Sequence, residues 1–195
     1  MPYQAKNFEN LLGLKGFSDQ LLKNHFTLYQ GYVTNTGKLT ESLNALAEAE
    51  KTAAPEFAEL KRRLGWEWNG MRLHELYFGN LKKGGEKINQ GSELFEKITE
   101  AFGSWEKWEK DFRAAGLMRG IGWVILYYDP IERKLFNVWV NEHDAGHLSG
   151  GLPLLVMDVF EHAFMIDYGL KRADYLNAFF EAIDWSAVIN RFKAN

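Results

Sequence analysis

The chain has 195 residues, 46% of them hydrophobic, which is enough apolar material for one large domain or for two small domains with a shared core. Its formal net charge is −3 without any basic block, which argues against nucleic acid as a partner, and it has no cysteine, which excludes disulfides, thiolate metal sites and thiol catalysis. The sequence shows neither the apolar core of a signal peptide nor a run of about 18 apolar residues that could span a membrane, so we expect a cytoplasmic protein without a membrane partner.

The first part of the chain is predicted to be helical. Ser18 and Asp19 form a typical helix start, and apolar residues then recur at helical spacing as far as Val33. His25 lies on this apolar stripe. A lone histidine in such a position is more often a hydrogen-bonded core residue than a ligand, so the stripe alone does not assign a function to His25.

Further helices are predicted up to about residue 80. The segment TNTGKLTES at residues 34–42 is expected to break or bend the first helix, and a second helical stretch follows over about residues 40–50. Pro55 then opens a third helix, since proline is tolerated in the first helical turn. His74 lies between apolar residues of this helix, and the interpretation as a core residue applies to it as well.

A break in the pattern divides the chain into two parts. The segment GNLKKGG at residues 79–85 is the first strong turn signal. We therefore predict a helical N-terminal domain over residues 1–84 and a C-terminal domain over residues 85–195. The second domain begins with a helical region over residues 91–118, whose apolar positions are rich in Phe and Trp.

Strands are predicted in the middle of the second domain. Two β-rich runs flank the segment DPIE at residues 129–132, which is a hairpin signal. A loop with three glycines, NEHDAGHLSGG, follows at residues 141–151. The next run, LPLLVMDV, is predicted to be a third strand, with Pro153 near its start where proline is tolerated. Asp158 ends this strand, and the rest of the chain is predicted to be helical.

Ionisable residues stand in the otherwise apolar segment after the third strand. His162 follows Asp158 by four residues, about one helical turn, so both side chains can face one point. An unpaired buried charge is costly, and a bound cation such as iron or manganese would offset it. The alternative is a helix cap at Asp158 and a core histidine at His162. Together with His25 and His74 on two helices of the other domain, the pair predicts a metal site that bridges the two domains.

With these residues in view, the sequence resembles the iron/manganese superoxide dismutases. The family motif D-x-W-E-H-A-[YF], followed by Asp or Gln and then Tyr, is matched by DVFEHAFMIDY at residues 158–168. HELYFGNL at residues 74–81 loosely matches the family's His, aromatic pair and Asn, and YVTN at residues 32–35 matches the end of its first motif. GIGWVIL at residues 120–126 is similar to its Gly-Trp strand opening. The resemblance covers nearly the whole chain in order.

The resemblance implies an activity, a cofactor and a fold. It implies a superoxide dismutase that converts superoxide to dioxygen and hydrogen peroxide at one Fe or Mn ion per subunit. The implied metal ligands are His25, His74, Asp158 and His162, with a water or hydroxide as the fifth. The implied fold is α+β, with an N-terminal helical hairpin domain and a C-terminal α/β domain that contains a three-stranded antiparallel sheet.

Residues near the implied metal depart in part from the family's pattern. Tyr32 matches the gateway tyrosine, although it follows His25 by seven residues, one fewer than is usual. Seven steps of about 100° still return to nearly the same helix face, so we predict a catalytic role for Tyr32, with a core tyrosine as the alternative. Tyr29 replaces a second-sphere histidine and Phe164 replaces a tyrosine. Proton delivery through that route is therefore in doubt, unless the Tyr29 hydroxyl takes it over.

The family's glutamine, which donates a hydrogen bond to the metal-bound solvent, is absent from both of its usual positions. The iron-type position is Gly70, and the manganese-type position is His143, directly before Asp144. We predict that His143 is the catalytic donor, with its other ring nitrogen bonded to a neighbour that fixes the tautomer. His147 is expected to be a surface loop residue because glycines surround it.

The resemblance also implies a homodimer or a dimer of dimers, with superoxide as a small-molecule substrate. Glu161 would meet a ligand histidine of the partner across the interface, the alternative being a solvated helix glutamate, and Trp123 would form a wall of the metal site. Two other functions stay open. The first is a non-catalytic relative, metal-binding or structural, which the changes at Tyr29 and Phe164 keep open. A mononuclear iron oxygenase is disfavoured by the fourth candidate ligand and by the lack of a cosubstrate motif.

Overall fold

Two long helices precede a small sheet, and short helices flank the sheet in the sequence. The computed structural model describes residues 3–194. Short 3-10 turns lie at Glu9–Leu11 and Glu161–Ala163. The helices and strands of the described residues are α1 (Asp19–Glu48), α2 (Pro55–Phe78), α3 (Glu93–Phe102), α4 (Trp105–Gly116), β1 (Gly122–Asp129), β2 (Lys134–Asn141), β3 (Leu152–Asp158), α5 (Met165–Tyr168), α6 (Arg172–Ala182) and α7 (Trp185–Lys193).

Helices α1 and α2 form the predicted hairpin. Ser18 caps α1, since its side chain accepts a hydrogen bond from the Leu21 amide at 3.1 Å, and Pro55 occupies the first turn of α2. The two helices pack against each other, and both His25 on α1 and His74 on α2 are fully buried. The hairpin therefore carries both histidines on its packed side.

The break predicted at residues 34–42 is not found, because α1 runs through this segment and includes the stretch predicted as a separate helix. Thr36 and Thr40 donate their hydroxyls to the carbonyl oxygens of Tyr32 and Thr36, each at 2.8 Å, so the polar side chains are satisfied inside the helix. Gly37 costs about 1 kcal/mol relative to alanine in a helix interior. Burial of two leucines later in α1 offsets this cost.

The helical region predicted over residues 91–118 consists of two helices. Gly103 ends α3 with a φ of 81°, in the left-handed region that glycine adopts without penalty. Ser104 then caps α4 by accepting a hydrogen bond from the Lys107 amide at 3.2 Å. Gly103 thus ends one helix, and the next residue, Ser104, begins the following one.

The three strands form one antiparallel sheet in the order β2-β1-β3. The predicted hairpin turn joins β1 to β2, and the carboxylate of Asp129 accepts a hydrogen bond from the Ile131 amide at 2.9 Å within it. Strand β1 is central and is buried along nearly its whole length. Trp123 on β1 lies opposite Asp158 on β3. The predicted fold class, α+β with a helical hairpin and a three-stranded antiparallel sheet, is confirmed.

One hydrophobic core joins the hairpin to the sheet and to the C-terminal helices. Helix α2 packs on β3, and α1 contacts the 3-10 turn that follows β3. These contacts bring the two buried histidines of the hairpin close to the end of β3. None of the helices within residues 3–194 is both long and apolar enough to cross a membrane.

Candidate metal centre

Four ionisable side chains meet where the hairpin packs on the sheet. Atom Oδ2 of Asp158 lies 3.1 Å from Nε2 of His25, 3.2 Å from Nε2 of His162 and 3.7 Å from Nε2 of His74. One donor atom from each residue lies within 4.8 Å of the other three. The side chains are fully buried except that of His162, which is 23% exposed. The structure thus brings together all four residues predicted as metal ligands.

Asp158 is held from several sides. It is the last residue of β3, and its Oδ1 accepts a hydrogen bond from the Phe160 amide at 2.8 Å, which leaves Oδ2 to face the three histidines. The hydroxyl of Tyr175 donates to the carbonyl oxygen of Asp158 at 2.6 Å. The turn after β3 therefore sets the direction of the carboxylate, and the same turn carries His162.

The ring of His74 is fixed in one tautomer. Its Nδ1 lies 2.6 Å from the carbonyl oxygen of Gly70, one turn earlier in α2, and a carbonyl only accepts, so Nδ1 carries the proton. Nε2 then presents a lone pair to the centre, and this buried atom has no hydrogen-bond partner. A buried acceptor without a partner is costly, and a metal ion at this point would satisfy it.

The protonation states of the centre suit a cation. Burial lowers the pKa of His25 against the opposing effect of Asp158, and burial is the main reason that the pKa of His74 lies well below its usual value. Burial by itself would raise the pKa of Asp158, but the attraction of His162 and the hydrogen bonds with His162 and His25 outweigh it and hold that pKa far below its usual value. The buried part of the centre is thus an ionised carboxylate beside neutral imidazoles, as metal binding requires.

The distances from Asp158 to the histidines are of the size expected around a single ion. Two donor atoms that are each about 2.1 Å from one metal, at angles of about 90–120°, lie about 3.0–3.6 Å apart. The distances from Asp158 to the three histidines, 3.1, 3.2 and 3.7 Å, are close to this range. Three imidazoles and one carboxylate suit iron or manganese, and both of these metals change oxidation state, whereas zinc does not. The four residues could therefore hold one ion of either metal.

Tyr32 and His143, the predicted catalytic residues, are hydrogen-bonded to each other beside the centre. The Tyr32 hydroxyl oxygen lies 2.8 Å from Nε2 of His143, and the Tyr32 ring stacks on His74 with ring centres 5.2 Å apart. Trp123 donates from Nε1 to Nδ1 of His143 at 3.0 Å. Since burial lowers the pKa of His143 to about 4, the ring is neutral, and its proton lies on Nε2 and points at Tyr32. Trp123 is the neighbour that fixes this tautomer.

Gly70 provides the space for the Tyr32 ring. A Cβ atom at position 70 would lie 2.6 Å from Cδ1 and 2.8 Å from Cε1 of Tyr32, which is shorter than real Cβ contacts. A glutamine at this iron-type position would therefore collide with Tyr32 where the ring now lies. His143 contacts the Tyr32 hydroxyl from the loop after β2 instead.

The Tyr29 hydroxyl, the alternative to the missing second-sphere histidine, is bonded to residues outside the predicted ligand and catalytic set. It accepts a hydrogen bond from the Lys6 amide at 2.9 Å and donates to the Glu75 carboxylate at 3.0 Å. Phe164 is buried and stacks on Tyr175. Tyr29 thus anchors the N-terminal segment to α2, and neither replaced residue supplies a hydrogen bond to the centre.

Glu161 and His147 lie at the edge of the site. Glu161 is exposed, directly before His162. His147 is half-buried, with Nε2 2.9 Å from the carbonyl oxygen of His143 and Nδ1 2.7 Å from the Tyr127 hydroxyl. His147 lies in the predicted loop and outside the ligand cluster, but it is half-buried rather than exposed, and both of its ring nitrogens are hydrogen-bonded to the protein.

Two aromatic residues that were not predicted as site residues, Trp66 and Phe160, also belong to the site. The rings of Trp66 and His143 lie 4.5 Å apart between centres. Phe160 stacks on His143 at 4.8 Å and on His162 at 5.2 Å. Trp66 precedes His74 by eight residues, about two helical turns, so the spacing on α2 could have identified it. Phe160 lies inside the recognised motif itself, between two candidate ligands.

Comparison with known proteins identifies the family. Residues 89–191 match the family model described as iron/manganese superoxide dismutases, C-terminal domain. The chain belongs to the iron/manganese superoxide dismutase family. This confirms the resemblance carried by the motif at residues 158–168.

The chain is similar to superoxide dismutases named for iron and to others named for manganese. The superoxide dismutase [Mn] of Haloarcula marismortui is 38% identical over 180 residues, which cover 90% of this chain and 85% of the relative. The superoxide dismutase [Fe] of Cupriavidus metallidurans is 39% identical over 189 residues, covering 93% and 91%. That of Aquifex aeolicus, also [Fe], is 34% identical over 195 residues, covering 97% and 91%. The level of identity therefore does not distinguish iron from manganese.

Proposed function

We propose that this protein is a superoxide dismutase, which converts superoxide to dioxygen and hydrogen peroxide with one iron or manganese ion per subunit. The main support is the convergence of His25, His74, Asp158 and His162 on one largely buried point, where Nε2 of His74 has no partner. Superoxide as the substrate is supported by the names of the relatives, which are superoxide dismutases [Fe] or [Mn].

The bound metal would supply one-electron redox chemistry, because iron and manganese alternate between two oxidation states. His25, His74 and His162 would hold the ion as neutral ligands. Asp158 would be the single anionic ligand, binding through Oδ2, since its Oδ1 is occupied by the Phe160 amide. The exposed edge of His162 marks the side from which a small anion would reach the centre.

Two protons are consumed for each hydrogen peroxide formed, and the residues next to the centre hold protons at defined atoms. A neutral imidazole has only one N–H, and the Trp123 bond places it on Nε2 of His143. This N–H can be directed at the Tyr32 oxygen or at a solvent molecule in the centre. When it is directed at Tyr32, the Tyr32 hydroxyl proton is left to face the centre. Burial raises the pKa of Tyr32 to about 12, so this proton is retained at neutral pH.

We further propose a homodimer, or a dimer of such dimers, with Glu161 at the contact. Glu161 is exposed beside a largely buried centre, and the apolar residues Met165 and Ile166 that follow it are 40% and 51% exposed. Exposed apolar surface next to a charged group is typical of a protein interface. In the dimer, the Glu161 carboxylate would accept a hydrogen bond from a ligand histidine of the partner subunit.

The division of the chain near residue 84 and the cytoplasmic location are also proposals. The family match to a C-terminal domain begins at residue 89, which supports a boundary close to the break at residues 79–85. The absence of cysteine agrees with a reducing compartment such as the cytoplasm.

The test is to strip the purified protein of metal, reload it with iron or manganese, and measure metal content and superoxide removal. We expect about one ion per subunit with at least one of the metals, and removal far above the spontaneous rate. His74→Ala should lose both the ion and the activity, because it removes the nitrogen that lacks a partner. A fully loaded protein that removes superoxide no faster than the stripped form would contradict the proposed function.

A further inference from the structure

The loop that carries His143 has a backbone conformation that depends on contacts with neighbouring residues. It joins β2 to β3 over residues 142–151, and φ is 49° at Glu142 and 106° at Gly146. A positive φ at a residue other than glycine is persistent only where neighbouring contacts impose it. Two backbone hydrogen bonds between Asn141 and Ala145, at 2.7 and 3.3 Å, close the first turn of the loop.

His147 connects this loop to the central strand. Its Nε2 lies 2.9 Å from the His143 carbonyl oxygen, and since a carbonyl only accepts, Nε2 carries the proton. In the neutral ring, Nδ1 then accepts from the Tyr127 hydroxyl at 2.7 Å. Burial raises the pKa of Tyr127 to about 12, so this hydroxyl keeps its proton. Tyr127 therefore donates to His147, and His147 donates to the backbone of His143.

Strand β1 thereby holds His143 at two points. Trp123 and Tyr127 are four residues apart on β1, so their side chains point to the same face of the sheet. Trp123 donates to the His143 ring at 3.0 Å, and Tyr127 reaches the His143 carbonyl through His147. A side chain that must direct a single N–H needs to be held to about 0.5 Å, and fixing both its ring and its backbone achieves this.

We infer that Tyr127 and His147 are positioning residues, which hold the backbone of His143 so that its Nε2–H stays directed at Tyr32 beside the centre. The catalytic part of this role rests on the proposed function. The positioning of the His143 backbone does not depend on the proposed function, because both residues act through His143 alone and neither is a metal ligand. The family match and the recognised motifs assign no role to either residue.

Four variants separate this role from general stability. His147→Leu removes both hydrogen bonds, and Tyr127→Phe removes one of them. His147→Gln keeps a donor for the carbonyl and an acceptor for the hydroxyl. Tyr128→Phe is the matched control, since this neighbouring tyrosine on β1 packs on Phe192 instead. At equal metal content, we expect kcat/KM to fall roughly ten- to hundred-fold in His147→Leu, the range for lost outer-shell partners of a metal. Tyr127→Phe should lose less, and the other two should stay near wild type.

Two further measurements identify where the effect arises. The dissociation constant of azide, a small anion, is measured by absorbance on the iron-loaded protein and should change several-fold in His147→Leu and recover in His147→Gln. His147→Leu should also have little effect on kcat/KM when His143 is already alanine. Additive losses in that double variant would overturn the positioning role. So would wild-type kinetics and azide affinity in both His147→Leu and Tyr127→Phe at full metal content. Absence of superoxide removal by the loaded wild-type protein would instead refute the proposed function, and the azide affinities would still compare the variants.

Discussion

Replacing Gly70 by alanine adds one methyl group where α2 meets Tyr32. The new Cβ would lie 2.6, 2.8 and 3.0 Å from three ring carbons of Tyr32. A normal carbon–carbon contact is about 3.5–4.0 Å, so the ring has to move by about 1 Å. The ring is stacked on His74 and its hydroxyl is bonded to His143, so this shift disturbs the hydrogen bond between Tyr32 and His143.

The free energy of unfolding should change by two opposing amounts. Alanine is more favourable than glycine in a helix interior by about 0.5–1 kcal/mol. An extra methyl group in a packed site costs about 1–3 kcal/mol. The balance for Gly70→Ala is a loss between about 0 and 2.5 kcal/mol. Gly65→Ala is the matched control on the same helix, because no atom beyond the neighbouring helix backbone lies within 4 Å of its new Cβ.

The two variants are compared by urea unfolding and by superoxide removal at equal metal content. We expect Gly65→Ala to gain up to about 1 kcal/mol and to keep full activity. Gly70→Ala should show no such gain and should lose roughly ten- to hundred-fold in activity, as for other outer-shell changes. If Gly70→Ala were as stable and as active as Gly65→Ala, the contact between Gly70 and Tyr32 would have no role in the site.

His143→Gln offers an amide with two N–H bonds in place of one, so it should change the ratio of iron-supported to manganese-supported activity, while an unchanged ratio would remove the tuning role. Glu161→Ala should weaken the dimer and lower metal retention, as measured by analytical ultracentrifugation and metal analysis, and a wild-type dimer with full metal would place Glu161 outside the contact. Tyr32→Phe should retain the metal but lose activity at high pH or high superoxide concentration, whereas activity equal to wild type under both conditions would exclude a gateway role. In the metal-free protein, the pKa values of His25 and His74 lie below the value of about 6.5 in the unfolded chain, so the unfolded chain binds protons first as the pH falls. In the presence of a chelator, the free energy of unfolding should therefore be highest above about pH 7.5 and should decrease as the pH falls below about 6.5. A constant value between pH 8 and pH 5 would contradict the burial of neutral histidines.

The candidate ligands could be predicted because each lies in a segment of regular geometry. His25 and His74 stand on apolar faces of helices, and a helical face is readable from spacing alone. Asp158 and His162 are separated by four residues after a buried strand, and the strand was recognisable from its apolar run. Regular elements project their side chains in fixed directions, so a residue's position in the sequence also fixes the direction it faces.

The differences between the predicted and the observed structure have physical causes that the sequence does not display. The segment at residues 34–42 looks like a helix break because Thr and Gly favour other conformations, but Thr36 and Thr40 bond to carbonyls one turn back and so stay in the helix. Tyr29 bonds to the Lys6 amide, a partner 23 residues away in the chain, and His147 bonds to a tyrosine 20 residues away. Hydrogen bonds of this kind depend on tertiary packing, which spacing rules do not include.

Three histidines at or near the centre share one arrangement. In each, the hydrogen bond of one ring nitrogen decides which nitrogen carries the proton and what the other one faces. The Gly70 carbonyl oxygen accepts a hydrogen bond from Nδ1 of His74, so the proton lies on Nδ1 and Nε2 keeps a lone pair for a metal. Trp123 occupies Nδ1 of His143 and leaves a donor for Tyr32 or bound solvent. The His143 carbonyl oxygen accepts a hydrogen bond from Nε2 of His147, which leaves Nδ1 as an acceptor for a tyrosine of β1. A neutral imidazole has one donor and one acceptor nitrogen. The neighbour of one nitrogen therefore decides whether the side chain serves as a metal ligand, a hydrogen-bond donor or a positioning residue. For this reason, replacing a neighbour should alter the centre even where the histidine itself is retained.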